Sequence, residues 1–328
     1  MNNVTKKEEF IYVLKFLACL LITNSHCGEF YPISYMAIGG GFGNAIFFAV
    51  SGYCLVNIKD DFITWYKKRI RRILPITLSV ILVDYIINYH YLEQNLLERN
   101  IANYYINKYW FVFAIMLYYI FYYVSFYNKS KKRIIAILIM HFLVYMGLYI
   151  GIVDKTMFYV ETEGFAWFKV YFYLSIIIAG GLLKLMGNDD RKISKSKEKL
   201  YISSLCVIAV ISWMIVYVFI LLLKKGYVIQ CIIQFSVFIF AMTALRLGSL
   251  YEDVFKTINI KIKKVIHIIA DSTLEIYLVQ IFFLEIIKKN GHSGFGSVFW
   301  VTALGGGILL HLISSNAKNF CFKKKLKY

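Results

Sequence analysis

The sequence is poor in charge and in proline for a chain of 328 residues. Charged residues make up 17% of it and hydrophobic residues 59%, which excludes a single soluble globular domain and indicates a polytopic membrane protein. The two prolines, Pro32 and Pro75, are predicted at or near helix ends, where a helix tolerates proline.

Acidic residues are also few, with 19 Asp and Glu against 37 Lys and Arg. The resulting net charge of +18 could suit a nucleic-acid partner, but the cations occur in short clusters between apolar runs, where membrane topology accounts for them. The six cysteines show no paired spacing, and most lie within apolar runs. We therefore expect small buried thiols rather than disulfides or metal ligands, and no nucleic-acid partner.

Apolar runs of spanning length dominate what remains. Each approaches the roughly 20 residues that a helix needs to cross the hydrocarbon core of a bilayer. The ten segments run near 10–27, 38–57, 74–91, 108–127, 133–152, 165–187, 200–223, 227–247, 265–287 and 295–316. With the N-terminus inside, the inner loops and ends carry about four times as many cations as the outer ones. The sequence thus predicts an all-α, multi-pass protein of about ten transmembrane helices, with both termini cytoplasmic.

The first apolar run places a cation and an imidazole on one helix face. Lys15 and His26 are eleven residues apart, so they lie within about 20° of each other around a helix and roughly 16 Å apart along it. Ionisable side chains within a membrane are costly and are functional candidates by default. A neutral imidazole can accept a proton from an alcohol, whereas a histidine that only faces water at a helix end remains the alternative.

Two further stretches have a functional and a structural interpretation. The segment Phe47-Phe48-Ala-Val-Ser51-Gly52 forms a small-residue notch in an aromatic wall, or it serves helix packing alone. The basic run that ends at Pro75 places Arg69 and Arg72 one helical turn apart, where both can grip a polyphosphate. The alternative for this run is inside-positive topology with binding of anionic lipid.

Together these stretches resemble the integral-membrane acyltransferase-3 family. The family has an Arg/Lys and a His separated by ten residues, then Phe-Phe-x-x-Ser-Gly, then a basic Arg-x-x-Arg stretch that closes on Leu-Pro. It also has a Trp-Phe step, here Trp110-Phe111, and a Ser-x-x-x-x-Tyr-Leu-x-His segment near the C-terminus, here Ser272 to Gln280. The resemblance spans most of the chain.

The resemblance implies a single integral-membrane acyltransferase domain over residues 1–328, without a separate soluble domain, in a plasma (inner) membrane. The implied activity is O-acyl transfer, with acetyl as the expected group, from cytoplasmic acyl-CoA to a hydroxyl of a cell-surface or lipid-linked polysaccharide. Implied partners are membrane lipids and a glycan acceptor, and no metal is expected. The implied catalytic pair is His26 and Lys15, with Arg69, Arg72 and Lys15 for the donor. The implied substrate cavity comprises Phe48, Ser51, Gly52, Trp110, Glu275, Tyr277 and Gln280.

The chain departs from the family pattern at three positions. Lys15 stands where Arg is more usual, Tyr12 where Asp is frequent, and Gln280 where His is typical. Gln hydrogen-bonds but does not shuttle protons at neutral pH, so a positioning role is expected at position 280. Two other functions stay open. One is a non-catalytic partner subunit, which the missing histidine favours. The other is a transporter or flippase, against which stands the lack of an inverted repeat and of Gly/Pro-broken helix pairs.

Several other polar side chains lie within apolar segments. Asp84, Asp271 and Lys169 must face the interior of a helix bundle or a wet cavity. His141 and His311 are predicted as packing or buried hydrogen-bonding residues outside the site. Lys108 is assigned to an outer loop.

Overall fold

The computed structural model describes residues 8–96, 101–153, 166–187, 194–223, 229–289 and 296–325, and within them the chain is helical, with no β-strand. The α-helices are α1 (Glu9–Ser25), α2 (Gly40–Leu55), α3 (Phe62–Leu96), α4 (Ile101–Lys108), α5 (Trp110–Phe126), α6 (Lys131–Gly151), α7 (Ala166–Met186), α8 (Lys195–Leu223), α9 (Cys231–Leu250), α10 (Glu252–Lys256), α11 (Ile260–Asp271), α12 (Thr273–Lys289) and α13 (Gly296–Lys325). Two short 3-10 turns, Gly28–Phe30 and Ser34–Met36, follow α1.

The prediction of an all-α membrane protein is confirmed, and each of the ten apolar segments overlaps a helix. Within the described residues, six helices are long and apolar enough to cross a membrane, or up to eight if each of two bent pairs is one span. Helices α1 and α3 are not among them. Helix α1 is too short, with 17 residues. Helix α3 carries too much charge, since Arg71, Arg72 and Asp84 lie in or beside its described apolar part.

Two sharp breaks occur between consecutive helices, and neither break contains glycine or proline. Helices α4 and α5 meet at Tyr109 with a bend of 84°, and α11 and α12 meet at Ser272 with a bend of 67°. At the second break the Ile268 carbonyl accepts hydrogen bonds from both the amide and the hydroxyl of Ser272, at 3.1 and 2.8 Å. The break at Ser272 interrupts the predicted segment 265–287, whereas the break at Tyr109 lies at the start of the predicted segment 108–127, which α5 matches.

The predicted start of the third helix is also wrong, and Pro75 lies inside the helix. Helix α3 begins at Phe62, where the Asp61 carboxylate accepts a hydrogen bond from the Thr64 amide at 3.1 Å. Hydropathy placed the start near residue 74 because cations precede the apolar run, yet Lys and Arg are good helix formers. The basic stretch is therefore part of the helix.

The surface that the helices leave exposed is strongly apolar. Met140 and Leu143 of α6 are 61% and 63% exposed, and Ile215 of α8 is 63% exposed. In a bilayer such faces contact lipid, because every backbone polar group is already satisfied within the helix. Helix α7 is the opposite case, with 67% of its spanning window buried.

The chain divides into two compact units. The first comprises residues up to Leu14, Gly41–Lys59 and Tyr118–Ile258. Within it α2 packs directly on α7, since a Cβ atom on Gly180 would lie 2.2 Å from the carbonyl oxygen of Ala49. Small residues allow this close backbone approach.

Aromatic contacts and partly exposed ion pairs complete the first unit. Tyr145 stacks on Phe168 with ring centroids 4.5 Å apart. Lys184 pairs with Glu8 at 3.2 Å, and both side chains are more than a third exposed. The Glu252 carboxylate accepts hydrogen bonds from the first backbone amides of α1 and so caps that helix.

The second unit comprises Lys15–Gly40, Asp60–Leu117 and the chain from Asn259 onward, and α12 is its central helix. Contacts between α1 and α12 occur in the same order along both helices, so the two run parallel. Lys15 pairs with Asp271 beside the start of α12, Thr23 bonds to Gln280, and Cys27 shares an apolar cluster with Ile287. Helix α13 runs in the opposite direction. Its Gly307 contacts Ile276, and its Phe299 joins the Ile287 cluster.

Candidate active site

The second unit holds most of the predicted site residues. These are Lys15, His26, Arg69, Arg72, Trp110, Glu275, Tyr277 and Gln280. The first unit holds Phe48, Ser51 and Gly52.

His26 is half-buried and lies just after the end of α1, where its amide donates to the carbonyl of Thr23 at 3.2 Å. The loop that follows folds back onto this helix end. The Asn24 side-chain amide donates to the carbonyls of Met36 and Ile38 at 3.1 and 2.9 Å, and the Tyr31 hydroxyl donates to Asn24 Oδ1 at 2.6 Å. Asn24 therefore fixes the backbone that carries His26.

Two features help this loop to close. Desolvation raises the pKa of Tyr31 above its usual value, so its phenol stays protonated and can donate to Asn24. Gly39 adopts a φ of +107°, a conformation that side chains disfavour, with its α-carbon against Leu21. The chain can thus turn directly from the loop into α2.

Lys15 lies near the other end of the predicted face, and its side chain is 13% exposed. Its ammonium is 4.0 Å from Asp271 Oδ1, on a side chain that is 41% exposed. The break at Ser272 ends α11 directly after Asp271. Sequence reasoning noted Asp271 as an intramembrane acid without identifying its partner, because the break that places it has no proline or glycine to mark it.

Between Lys15 and His26, the buried side chains of α1 include Cys19 and Thr23. The Thr23 hydroxyl donates to Gln280 Oε1 at 2.9 Å, and both side chains are fully buried. Gln280 Nε2 has no hydrogen-bond partner among the described residues. An unsatisfied buried donor costs about 1–3 kcal/mol, so this amide is a candidate to bind a ligand oxygen.

Tyr277 and the Trp-Phe step come together, as parts of α12 and the first turn of α5. The Phe111 ring lies 5.3 Å from the Tyr277 ring, and Trp110 contacts Phe111 edge-on at 6.0 Å. Tyr277 and Phe111 are buried, and Trp110 is partly exposed. The arrangement forms an aromatic wall on α12.

Glu275 was predicted to line the same cavity as Tyr277 and Gln280. Its buried carboxylate lies 3.1 Å from His311 Nδ1 and 3.5 Å from the Ser314 hydroxyl, both on α13. Glu275 thus links α12 to α13, and His311 makes a hydrogen bond, as the sequence predicted. A role of Glu275 toward substrate stays a prediction.

The two candidate donor arginines have different environments. The guanidinium of Arg69 lies 3.7 Å from the centre of the Trp65 ring and donates to the Trp65 carbonyl at 2.8 Å. The side chain of Arg72, by contrast, is exposed. Stacking on Trp65 pre-orients the planar fork of Arg69, a property suited to phosphate binding.

The three predicted residues of the first unit lie in a tightly packed region. Phe48 is fully buried and contacts the rings of Tyr118 and Tyr173 at 5.1 and 5.4 Å. A Cβ atom on Gly52 would lie 1.8 Å from the carbonyl oxygen of Ile177 on α7. Helix packing, the alternative raised from the sequence, accounts for Gly52. A role of Phe48, Ser51 and Gly52 in substrate binding stays a prediction.

The contacts of Lys108 are the clearest feature that sequence reasoning missed. The residue was assigned to an outer loop, and it ends helix α4 with its side chain 4% exposed and paired with both Asp84 and Glu285. A signal was present, because an acid such as Asp84 within an apolar segment requires a buried partner. Its partner could not be identified from sequence, since Lys108 and Glu285 are distant along the chain.

The sequence profile of the family described as "acyltransferase domain", the acyltransferase-3 family, matches residues 8–314. No curated protein and no solved structure matches the chain. Within the part of the chain that the structure describes, no three His, Cys, Asp or Glu side chains are grouped to hold a metal ion.

Proposed function

Since this chain belongs to the acyltransferase-3 family, we propose that it is a membrane O-acyltransferase. The acyl group, with acetyl as the first expectation, moves from cytoplasmic acyl-CoA to a hydroxyl of a cell-surface or lipid-linked polysaccharide. The observation that carries this proposal is a set of polar residues along α1 and α12 in the second unit, which we call the polar row. It comprises Lys15, Thr23, Gln280 and His26, with the Thr23–Gln280 hydrogen bond between the two outer members.

His26 is the proposed general base of the reaction. Its imidazole takes the proton of the acceptor hydroxyl while the new C–O bond forms. The thioester C–S bond breaks, and the CoA thiolate is protonated to the free thiol. The Gln280 amide is a suitable donor to the thioester carbonyl oxygen, where negative charge develops. A transient acyl group on His26 is the two-step form of the same proposal.

The donor enters at the Lys15 end of the row. CoA carries several phosphates, for which Arg69 and Arg72 supply charge-assisted hydrogen bonds. The excess of cations on the loops assigned to the inside orients this end toward the cytoplasm and His26 toward the outer surface. This topology requires about ten spans, with α1 and α3 crossing the plasma membrane and both termini cytoplasmic.

Cysteine labelling tests the orientation. Single cysteines at positions 26 and 69 are introduced after the native cysteines are replaced, and cells are treated with an impermeant thiol reagent. We expect labelling at position 26 in intact cells and at position 69 only after lysis. Labelling of position 69 from outside would reverse the topology.

The activity itself is tested with purified wild-type protein in lipid nanodiscs, supplied with acetyl-CoA labelled in the acetyl group. We expect release of CoA thiol and recovery of label on an added glycan fraction from the native envelope. The O-acetyl content of that glycan should also fall in cells that lack the protein. Unchanged glycan acetylation together with an intact labelled thioester would contradict the proposal.

One observation favours the transport alternative. The two broken helices, α4/α5 and α11/α12, resemble the discontinuous helices at transporter binding sites. Proteoliposomes separate the two functions. A transporter moves intact lipid-linked sugar without consuming acyl-CoA, whereas the proposed enzyme consumes acyl-CoA in proportion to acylated product.

A further inference from the structure

One ammonium in the second unit joins three helices. Lys108 Nζ, at the end of α4, lies 2.8 Å from Asp84 Oδ2 on α3 and 2.6 Å from Glu285 Oε2 on α12. The Tyr104 hydroxyl donates to the other oxygen of Glu285 at 3.0 Å. We call Lys108, Asp84 and Glu285 the ion cluster.

The Lys108–Asp84 pair of the ion cluster is buried, so its desolvation costs free energy. Side-chain exposures are 4% for Lys108 and 1% for Asp84, and Glu285 is partly exposed at 29%. The ammonium also lies 5.5 to 6.0 Å from the ring centres of Tyr104, Tyr105 and Tyr109. Removing one partner of such a pair leaves an uncompensated buried charge, and ionisable groups at membrane depth are retained for function.

The ion cluster lies next to the break between α4 and α5. Lys108 is the last residue of α4, Tyr109 forms the 84° bend and is fully buried, and Trp110 begins α5. Two residues beyond the bend, Phe111 packs on Tyr277 of α12. The chain around the break is therefore attached to α12 twice, through Glu285 and through Tyr277, which are about 12 Å apart along that helix.

The ion cluster and His26 lie toward the same end of the second unit. Glu285 is five residues beyond Gln280 on α12, and His26 is three residues beyond Thr23 on α1. Because the two helices run parallel and Thr23 bonds to Gln280, both residues lie beyond that bond, away from the Lys15–Asp271 pair.

We propose that Lys108 is a positioning residue for acyl transfer. Its ammonium, held by Asp84 and Glu285 toward the His26 end, locks the break between α4 and α5. The lock fixes Phe111 against Tyr277, about one helical turn before Gln280 and so beside the proposed path of the acceptor. That Lys108 acts on the acceptor step of the reaction rests on the proposed function. That Lys108 locks the break between α4 and α5 is independent of the proposed function and can be measured without any substrate.

The test compares Lys108→Met with Lys108→Arg in nanodiscs, using two readouts. Hydrogen exchange of residues 101–117 reports the lock, and steady-state kinetics report the reaction. For Lys108→Met we expect exchange faster by about tenfold or more and a kcat lower by about tenfold or more, with the KM for acyl-CoA within about twofold of wild type. Lys108→Arg retains the charge and should recover most of both.

The matched control is Lys184→Met in the first unit. Lys184 also pairs with a carboxylate, that of Glu8, but its side chain is 36% exposed. Neither readout should change in this variant.

Lys108→Met leaves two facing carboxylates, which could prevent folding. The triple variant Asp84→Asn, Lys108→Met, Glu285→Gln removes every charge of the ion cluster and leaves none uncompensated. We expect it to fold with faster exchange at 101–117 and low kcat. Slow exchange with wild-type kcat in either variant overturns the proposal, as does Lys108→Arg behaving like Lys108→Met. If the wild-type protein transfers no acyl group, the proposed function fails, and the exchange data still decide whether Lys108 locks the break.

Discussion

The two units of this protein differ in what holds their helices together. In the first unit, α2 and α7 approach through glycines, and the side chains of the Arg246–Glu198 ion pair are 13% and 15% exposed. In the second unit, the Lys108–Asp84 pair is buried more deeply, at 4% and 1%, and the Thr23–Gln280 hydrogen bond is fully buried. Apolar packing is sufficient for helix association in a membrane, whereas buried charge carries a cost that folding alone does not require. We therefore propose that the second unit, with its more deeply buried ion pair, carries the chemistry.

The largest effect that separates the units is expected at Lys15. Lys15→Met removes the ammonium proposed to bind the donor and should lower the rate of acyl transfer by about 100-fold, while Lys15→Arg retains much of the rate. Both variants should be recovered folded from membranes. Transfer of label from acetyl-CoA is the measurement.

A double variant decides what Lys15 does. If its only role were to neutralise Asp271, Lys15→Met combined with Asp271→Asn would regain activity. We expect the double variant to stay inactive, because the ligand has lost its cation. Activity close to wild type in the double variant would contradict a donor-binding role.

The next effect belongs to the first unit and concerns stability. In Gly52→Ala the new methyl group meets the backbone of α7, whose Ile177 oxygen lies 1.8 Å from the position of the added Cβ. We expect a loss of about 1–3 kcal/mol, seen as a lower thermal midpoint in detergent. Gly147→Ala is the matched control, since nothing lies within 4 Å of its added Cβ. Equal midpoints for the two variants would show that the α2–α7 contact is not a tight one.

The smallest effect is expected in the basic stretch at the start of α3. Arg69→Ala and Arg72→Ala should each raise the KM for acyl-CoA by about tenfold and leave the KM for the acceptor unchanged. Lys68→Ala is the control, because the Lys68 ammonium is already paired with Asp60 at 2.8 Å. If the three variants behave alike, the stretch serves topology and lipid contact instead.

The shared face of Lys15 and His26 stays a prediction, since His26 follows the last residue of α1. What the sequence did predict is the helical class and the approximate positions of the apolar segments. These follow from local patterns, because hydropathy and a period of 3.6 residues are properties of neighbouring residues. The bend at Ser272 was not predictable in this way. A serine hydroxyl that bonds to the preceding turn is common in straight helices too, so residue type does not mark this break.

Contacts between residues that are distant along the chain could not be predicted from the sequence either. Asp84 signalled that a partner had to exist, but its pairing with Lys108, and theirs with Glu285, is a property of the packed structure. For the same reason the hydrogen bond between Thr23 and Gln280 was unforeseen, although Gln280 itself was identified through the family pattern. Long-range polar contacts are set by how helices pack rather than by local pattern.

The measurement that tests the account most directly is acyl transfer by His26 variants. His26→Ala removes the proposed base and retains the hydrogen bonds of Asn24 and Tyr31 that close the following loop, so the protein should fold and insert normally. The rate of label transfer from acetyl-CoA should fall by about 10²–10⁴. His26→Gln retains a hydrogen-bonding side chain without the basic imidazole, and it should be as inactive as His26→Ala. Wild-type rates in either folded variant would contradict the central claim.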